Sequence, residues 1–447
     1  MNRTCMTVKE LRHLLTGFRK IVPRGEAELR RIQIDLGSRM RFMVSDGNSV
    51  LTYAMNASSS TPGSYLLSLD QLADFVKGLS ARQEVVIERH EQRLSFLTES
   101  RSLHAQAMKS ESSFPPVPRL GGKIHSVASQ DREAILRALS CASKDDTRYV
   151  LKGVLIEDGR AVGTDGRTLY HERLHELPAN SSFILPASPL IKWPGYGMEW
   201  QVRRSAGRKS PVRIELRSGP WTFHTPAIEG NFPNWRQVLP DERKLPCRLQ
   251  LGEEDIATLR TLTGNSIALR ARDGFVSFLH LSDDGKQWHQ HRATGSIVKG
   301  PDACIVLARE FLNRALDAGL REVCIGAEHD PCLFKGQGDM IVMPLRISGP
   351  PLPGDKPKPH KPIETRPAQK PTSKSMKSNP TPPQPTPLEI VQESLRTLKG
   401  QLRESIGHVD TALRQLRDAQ ADQRATQKDI KTIRGTLQSL KKVGFPN

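Results

Sequence analysis

Apolar positions recur along this chain at a short and a long scale. An apolar, strand-like run gives way to a short amphipathic segment at Leu66-Leu67-Ser68-Leu69, at Ile184-Leu185-Pro186-Ala187 and at Ile305-Val306-Leu307-Ala308. Leu67, Leu185 and Leu307 are 118 and 122 residues apart in turn. Phe-Pro follows an alternating run at Phe114-Pro115 and again at Phe232-Pro233, also 118 residues later. Self-similarity at a fixed, domain-sized period implies one supersecondary unit used three times.

Within each repeat the pattern passes from a helical to a strand-like period. Helices are predicted over Thr7 to Ile21, Ser129 to Ser143 and Gly252 to Leu262, each opening its repeat, and strands dominate the remainder. In the first helix Leu11, Leu14, Leu15, Phe18 and Ile21 form an apolar stripe, which turns Lys9, Arg12, Thr16, Arg19 and Lys20 away from the core. A second helix is predicted after each marker strand. Ser68 with Gln71 three residues on has the form of a capping box for the first of these. Pro189 and Pro194 bracket Leu190-Ile191-Lys192-Trp193 and keep the second one short.

Beyond residue 348 the pattern changes. Residues 349–387 hold 13 prolines among Lys, Ser and Thr, with almost no large apolar side chain, and cannot build a core. A linker is predicted there. From Leu388 a 3-4 spacing runs through Val391, Leu395, Leu398, Leu402, Ser405, Val409, Ala412, Leu416, Ala419, Gln423, Thr426, Ile430, Ile433, Leu437 and Leu440. With no proline between Leu388 and Val443, this predicts a coiled coil over 388–443, the alternative being a solitary amphipathic helix.

The length of 447 residues agrees with about three domains before the tail. The net charge of +18 divides equally between residues 1–348 and 349–447. Such a basic balance fits a polyanion such as nucleic acid, with ordinary solubility charge as the alternative. Cys5, Cys141, Cys247, Cys304, Cys324 and Cys332 form no CxxC pair and read as reduced thiols of a cytosolic protein. Arg3, Lys9, Arg12 and Arg19 interrupt any signal-peptide core, and no run is long enough to span a membrane. A phosphate-binding glycine loop, a GxSxG elbow and an HExxH pair are all absent from the sequence, so no enzyme class finds a candidate site and no cofactor or metal is implied. His289 and His291 could face one way on a strand, but without a third ligand nearby they read as surface residues.

The run Asp146-Thr147-Arg148-Tyr149-Val150-Leu151-Lys152-Gly153-Val154-Leu155, followed by Gly163-Thr164-Asp165-Gly166-Arg167-Thr168-Leu169, resembles the middle domain of the bacterial sliding clamp, the beta subunit of DNA polymerase III. Ile228-Glu229-Gly230-Asn231-Phe232-Pro233-Asn234-Trp235-Arg236-Gln237-Val238-Leu239-Pro240 looks like that family's next signature. Ile341-Val342-Met343-Pro344-Leu345-Arg346-Ile347 is similar to the segment on which clamp chains normally end. The resemblance covers residues 5 to 348 and is strongest in the middle third. It implies an α+β fold of three clamp domains, 1–121, 122–245 and 246–348, each with two helices and an outer antiparallel sheet. It further implies a non-catalytic processivity factor of the bacterial cytoplasm and nucleoid, a homodimeric ring around double-stranded DNA. Its partners would be DNA polymerase, the clamp loader and repair-protein peptides. The alternative is a clamp-derived scaffold or accessory paralogue that oligomerises through its coiled coil without encircling DNA.

Two sites follow from the resemblance. For DNA they are Arg12, Arg19, Lys20, Arg24, Lys77, Arg132, Arg137, Lys144, Arg148, Tyr149, Arg309 and Arg314, whose long cations attract phosphate without reading sequence. For partner peptides the cleft wall would be Leu151, Thr164, Gly166, Arg167, Thr168, Leu169, Pro233, Gln237, Val238, Ile341, Val342, Met343, Pro344 and Leu345, with Arg346 at the rim. Plain inter-domain packing is the alternative for these residues. The chain departs from the family where clamps usually carry Arg before the leucine: here stands Thr168, with Arg167 one place earlier. The expected ring-closing edges also look altered. Ser102-Leu103-His104-Ala105 keeps one large apolar residue, and Gly285-Lys286-Gln287-Trp288-His289-Gln290-His291-Arg292 has no acid.

Overall fold

The computed structural model describes residues 3–22, 25, 29–57, 62–90, 93–108, 114–177, 182–205, 212–282, 285–346 and 352–353. All belong to the first of the two units into which the chain divides, Met1–Lys358. The expected coiled coil, and all of the expected linker but Leu352 and Pro353, lie outside the described residues.

The predicted repetition is explicit in the order of elements. The first repeat runs β1 (Arg3–Thr7), α1 (Val8–Phe18), β2 (Arg31–Leu36), β3 (Arg39–Ser45), β4 (Val50–Asn56), β5 (Gly63–Ser68), α2 (Leu69–Val76), β6 (Glu84–His90), β7 (Arg93–Leu97) and β8 (Ser102–Ala107). The second runs β9 (His125–Val127), α3 (Ser129–Ser140), β10 (Gly153–Glu157), β11 (Arg160–Thr164), β12 (Thr168–Arg173), β13 (Phe183–Pro186), β14 (Trp200–Arg204), β15 (Arg213–Ser218) and β16 (Trp221–Pro226). The third runs β17 (Cys247–Gln250), α4 (Glu253–Thr261), β18 (Ser266–Arg272), β19 (Phe275–Leu281), β20 (Trp288–Arg292), β21 (Ile297–Lys299), β22 (Ala303–Ala308), α5 (Arg309–Asp317), β23 (Glu322–Ile325), β24 (Cys332–Lys335) and β25 (Asp339–Val342).

Helix α1 forms where its stripe predicts. Leu11, Leu14, Leu15 and Phe18 are buried. Thr7 caps the helix by accepting from Glu10 N at 3.2 Å, while the Glu10 carboxylate accepts from Thr7 N at 2.7 Å, a reciprocal arrangement worth about 1 kcal/mol. Ser68 makes only one half of the expected box, accepting from Gln71 N at 3.5 Å. The second helix of the second repeat is not an α-helix. Pro189 and Pro194 withhold backbone donors, and the segment between β13 and β14 forms a turn followed by a 3-10 turn at Pro194–Tyr196. Aromatic rings pack at this place: Trp193 and Trp221 lie 5.8 Å apart, and His13 of α1 reaches across from the first repeat to 4.8 Å from Trp193. Gly17 permits this approach, since a Cβ there would stand 2.6 Å from the Trp221 ring.

All strand pairing is antiparallel, and it crosses the repeat boundaries. β4 of the first repeat pairs with β16 of the second, Leu51 opposite Phe223, and β12 of the second pairs with β25 of the third, Leu169 opposite Ile341. The result is a 12-stranded sheet, a 9-stranded sheet and a 4-stranded sheet ordered β20-β19-β18-β22. One apolar cluster extends from Met6 to Val342 through all three repeats. A second, smaller cluster lies apart from it and underlies the candidate cleft.

Candidate functional site

The turn between β11 and β12 organises the candidate cleft. Asp165 Oδ1 accepts from Arg167 N at 2.9 Å and Thr168 N at 2.7 Å, and Thr164 Oγ1 donates to Thr168 O at 2.7 Å. Gly166 is required here because the turn holds it at φ +86°. Gly163 is required for a different reason: a Cβ would stand 1.9 Å from Ala138 O, so only glycine lets α3 rest on β11. The strand that leaves this turn pairs with β25, and the ladder ends where Met343 N donates to Arg167 O at 2.9 Å.

Strand alternation then sorts the expected cleft residues. Leu169 and Ile341 face the smaller cluster with Leu155, Val162, Ile184, Leu333 and Trp235, against which Phe232, Leu239 and Val150 pack. These form an apolar floor. Leu151, Pro344 and Leu345 are half-buried, while Pro233, Gln237, Gly166, Arg167 and Arg346 are exposed or half-exposed at its margin, with Val238 54% and Met343 43% exposed. Three expected wall residues lie away from that floor. Val342 faces the main core, Thr168 is 1% exposed and bonded to Asp165, and Thr164 closes the turn. A continuous wall of motif residues is incompatible with the two-residue period of the strands. Trp235 and Phe232 belong to the motif but not to the expected site, although their apolar bulk beside Pro233 was the available signal. The Arg236 guanidinium covers the Trp235 ring at 4.6 Å and is held by Asp158 at 2.7 Å. An open depression of about 790 Å³ lies elsewhere, on the first repeat, among Arg3, Arg82, Glu84, Leu97 and Glu99.

The expected DNA-facing cations divide in two. Arg19, Lys77, Lys144 and Arg148 are exposed, Tyr149 is 58% exposed, and Lys20 is half-buried. Arg24 lies outside the described residues. Other members turn inward, contrary to expectation. Arg132 is 5% exposed, with its guanidinium 5.0 Å over the Trp200 ring, and burial lowers its pKa. Arg137 donates to Glu172 at 2.9 Å and 3.0 Å and to Tyr170 OH at 3.0 Å. Burial opposes its charge, but those bonds prevail and its pKa is raised. Arg314 bonds Asp165, Thr168 and Glu310. Arg12 donates to the carbonyls of Val76 at 3.0 Å and Leu79 at 2.7 Å at the end of α2, and half-buried Arg309 donates to Arg260 O at 3.3 Å. The helical period marks such residues as polar but says nothing of partners elsewhere in the fold. One further cation carries no sequence signal. Lys192 Nζ reaches Leu139 O at 3.4 Å at the end of α3, and burial, with Lys144 and Arg314 close by, lowers its pKa.

At β20, His289 and His291 stack on His280, with centroids 5.1 and 5.4 Å apart. Among the described residues no group of three acidic, His or Cys side chains could hold a metal ion, and no helix is long and apolar enough to cross a membrane.

The fold is similar to that of solved DNA clamps. The DNA polymerase sliding clamp from Pseudomonas aeruginosa, crystallised with a ligand, superposes with a TM-score of 0.65 at 18% identity, covering 78% of this chain and all of that one. The DNA polymerase III beta subunit from Thermotoga maritima gives 0.63 at 16%, again over 78% and 100%. The chain has the sliding-clamp fold. A Helicobacter pylori beta clamp bound to a DNA ligase peptide also matches, with a TM-score of 0.64 at 18% identity over 77% of this chain and 100% of that one. In sequence, the beta sliding clamp of Escherichia coli (strain K12) is 25% identical over 195 residues, 40% of this chain and 50% of that protein. That of Pseudomonas putida (strain KT2440) is 27% identical over 194 residues, 40% and 51% respectively. The chain spans about half the length of the curated relatives it matches. No family model matches it. In sequence it is similar, at a divergent level, to the bacterial beta sliding clamps.

Proposed function

We propose that this chain is a DNA clamp: a non-catalytic protein of the bacterial cytoplasm that closes around double-stranded DNA as a homodimer. It would tether DNA polymerase and other replication or repair proteins through the β12–β25 cleft, and receive the clamp loader there. Domains at 1–121, 122–245 and 246–348 belong to this reading. The observation that carries it is the pairing left unfinished. β4 meets β16 and β12 meets β25, so the corresponding third junction would join β20 to β8. β20 ends its sheet, and β5 reaches only Gln106 and Ala107 of β8, leaving Ser102 to Ala105 open on that side among the described residues. A second copy supplies the missing partner to each edge. The exposed Arg19, Lys77, Lys144 and Arg148 support a sequence-independent phosphate contact.

A ring is tested by topology. Retention on closed circular DNA, with release when the circle is cut, is the expected result; equal retention on both forms would rule out encirclement.

One observation favours a second reading, a clamp-derived scaffold joined by its coiled coil. β20 presents Trp288, His289, Gln290, His291 and Arg292, and β8 carries His104, so the two edges offer no opposite charges to each other. On that reading the cleft still recruits peptides, but the two retention measurements agree.

A further inference from the structure

We propose that the outer face of the β20-β19-β18-β22 sheet is a docking strip for the Leu352-Pro353 segment of this chain, held as if it were a third inter-repeat connector. Three observations converge on it. After the last strand of each repeat the chain donates one backbone hydrogen bond to the strand that carries the repeat's marker, β5, β13 or β22: Met108 N to Ser64 O at 2.9 Å, Ile228 N to Ile184 O at 3.0 Å and Leu345 N to Val306 O at 2.7 Å. In the first two repeats this run leads to Phe114-Pro115 and Phe232-Pro233, and in the second Phe232 packs on the outer apolar cluster. In the third it leads to Leu352-Pro353, 120 residues after Phe232-Pro233. The period of the sequence therefore continues past the point where the clamp resemblance stops.

The face that receives this segment is prepared for it. Register places Val306, Ala268, Leu279 and Gln290 in one cross-strand row, and Cys304, Arg270, Ser277 and Arg292 in the next, all on the side opposite the core residues Leu269 and Phe278. Ala268 and Leu279 are nonetheless fully buried, and they belong to neither apolar cluster. Arg270, 7% exposed, donates through Nη1 to Pro353 O and through Nη2 to Gln290 Oε1 at 2.8 Å, while Gln290 Nε2 donates to Ser277 Oγ at 3.1 Å. A single guanidinium thus ties this segment to the open edge strand β20. Leu352-Pro353 therefore lies beside β20, the edge that a second copy would meet in the proposed ring.

Cys304 is a native reporter, half-buried in the strip and directly opposite Arg270. The full chain and its Leu352→Asp and Arg270→Gln variants are labelled with N-ethylmaleimide, and adducts at Cys304, exposed Cys5 and buried Cys332 are followed by peptide mass spectrometry. Both variants are expected to label several-fold faster at Cys304, with Cys5 unchanged and Cys332 silent. Leu352→Asp lies outside the sheet and decides the matter if Arg270→Gln fails to fold. An unchanged Cys304 rate in Leu352→Asp overturns the proposal. Acceleration that spreads to Cys332 overturns it too, because the segment would then support the core of the repeat instead of resting on its face.

Discussion

Arg314 of the third repeat places Nη1 2.6 Å from Asp165 Oδ2 of the second, and 3.0 Å from Thr168 Oγ1. Burial alone would raise the Asp165 pKa, but bonds from Arg314, Thr168 and Arg167 outweigh it and hold the carboxyl below its ordinary range. The turn beside the proposed cleft is therefore fastened from the neighbouring repeat.

Arg314→Ala should consequently act on stability. With both side chains less than a fifth exposed, removing one partner strands a charge and should cost about 3 kcal/mol. Urea unfolding measures it. Weakened DNA retention with an unchanged unfolding midpoint would instead make Arg314 a phosphate contact.

Met343→Ala combined with Val238→Ala should weaken binding of a polymerase-tail peptide by about 1 to 3 kcal/mol while leaving the melting temperature alone, since both side chains are exposed. Val342→Ala should do the reverse, losing about 2 kcal/mol of stability from the main core. Fluorescence anisotropy and thermal melts of the same variants separate the two. Equal affinities before and after the double substitution would remove the cleft.

Neutralising Arg19, Lys77 and Lys144 should weaken DNA association uniformly across sequences, lowering the log-log salt slope by about 0.9 for each phosphate no longer neutralised. Arg137→Gln should leave that slope unchanged, because Glu172 and Tyr170 already hold the guanidinium. A wild-type slope in the first variant, or a reduced one in the second, contradicts this division.

His171 gives the β12–β25 junction a pH dependence. Its ring lies 5.1 Å from Trp235 and its Nε2 3.9 Å from Asp339, with Arg160 on the other nitrogen, and burial pushes its pKa down to about 4. The unfolded chain then binds the extra proton first. Stability is complete above pH ~6.5 and should decline by roughly 2 to 3 kcal/mol as the pH falls toward 4. Asp339, whose pKa burial raises, returns part of that loss by accepting a proton as the pH falls. Urea midpoints between pH 7 and 4 should slope in the wild type and flatten in His171→Phe; identical slopes would assign the effect to another group.

A chain ended at Ile347 should be largely monomeric at micromolar concentration, while the full chain should be at least dimeric, because tethering raises the effective concentration of two poorly matched edges. Analytical ultracentrifugation compares them. A stable dimer of the shorter chain would mean that the edges need no help.

The triple repeat, α1 and α3 were legible because long, strongly periodic segments carry their own signal. Features that depended on distant partners were not. Arg137 and Arg132 look alike on a helical wheel, yet one is bonded to Glu172, 35 residues on, and the other lies over Trp200. Asp165 and Arg314 are 149 residues apart in sequence, and nothing local marks them as a pair. The missing second helix was half-visible: the two prolines announced a short segment, but not the aromatic packing of Trp193 against Trp221 found there. Thr7 and Glu10 have the spacing of a capping box and form one, whereas Ser68 with Gln71 has the same spacing and forms only half.

Because a ladder crosses each internal boundary, the repeats do not open separately. Parting the second from the third means losing the pairs Thr168–Val342, Leu169–Ile341, Tyr170–Met340 and His171–Asp339 together with the Arg314 bond, in one event. The amides of β12 and β25 should then exchange with solvent at the rate of the deepest core, as one foldon spanning two repeats. Among the described residues, the strand edges that these ladders leave free are β20 and the Ser102–Ala105 part of β8, so separating repeats within one chain costs a whole ladder.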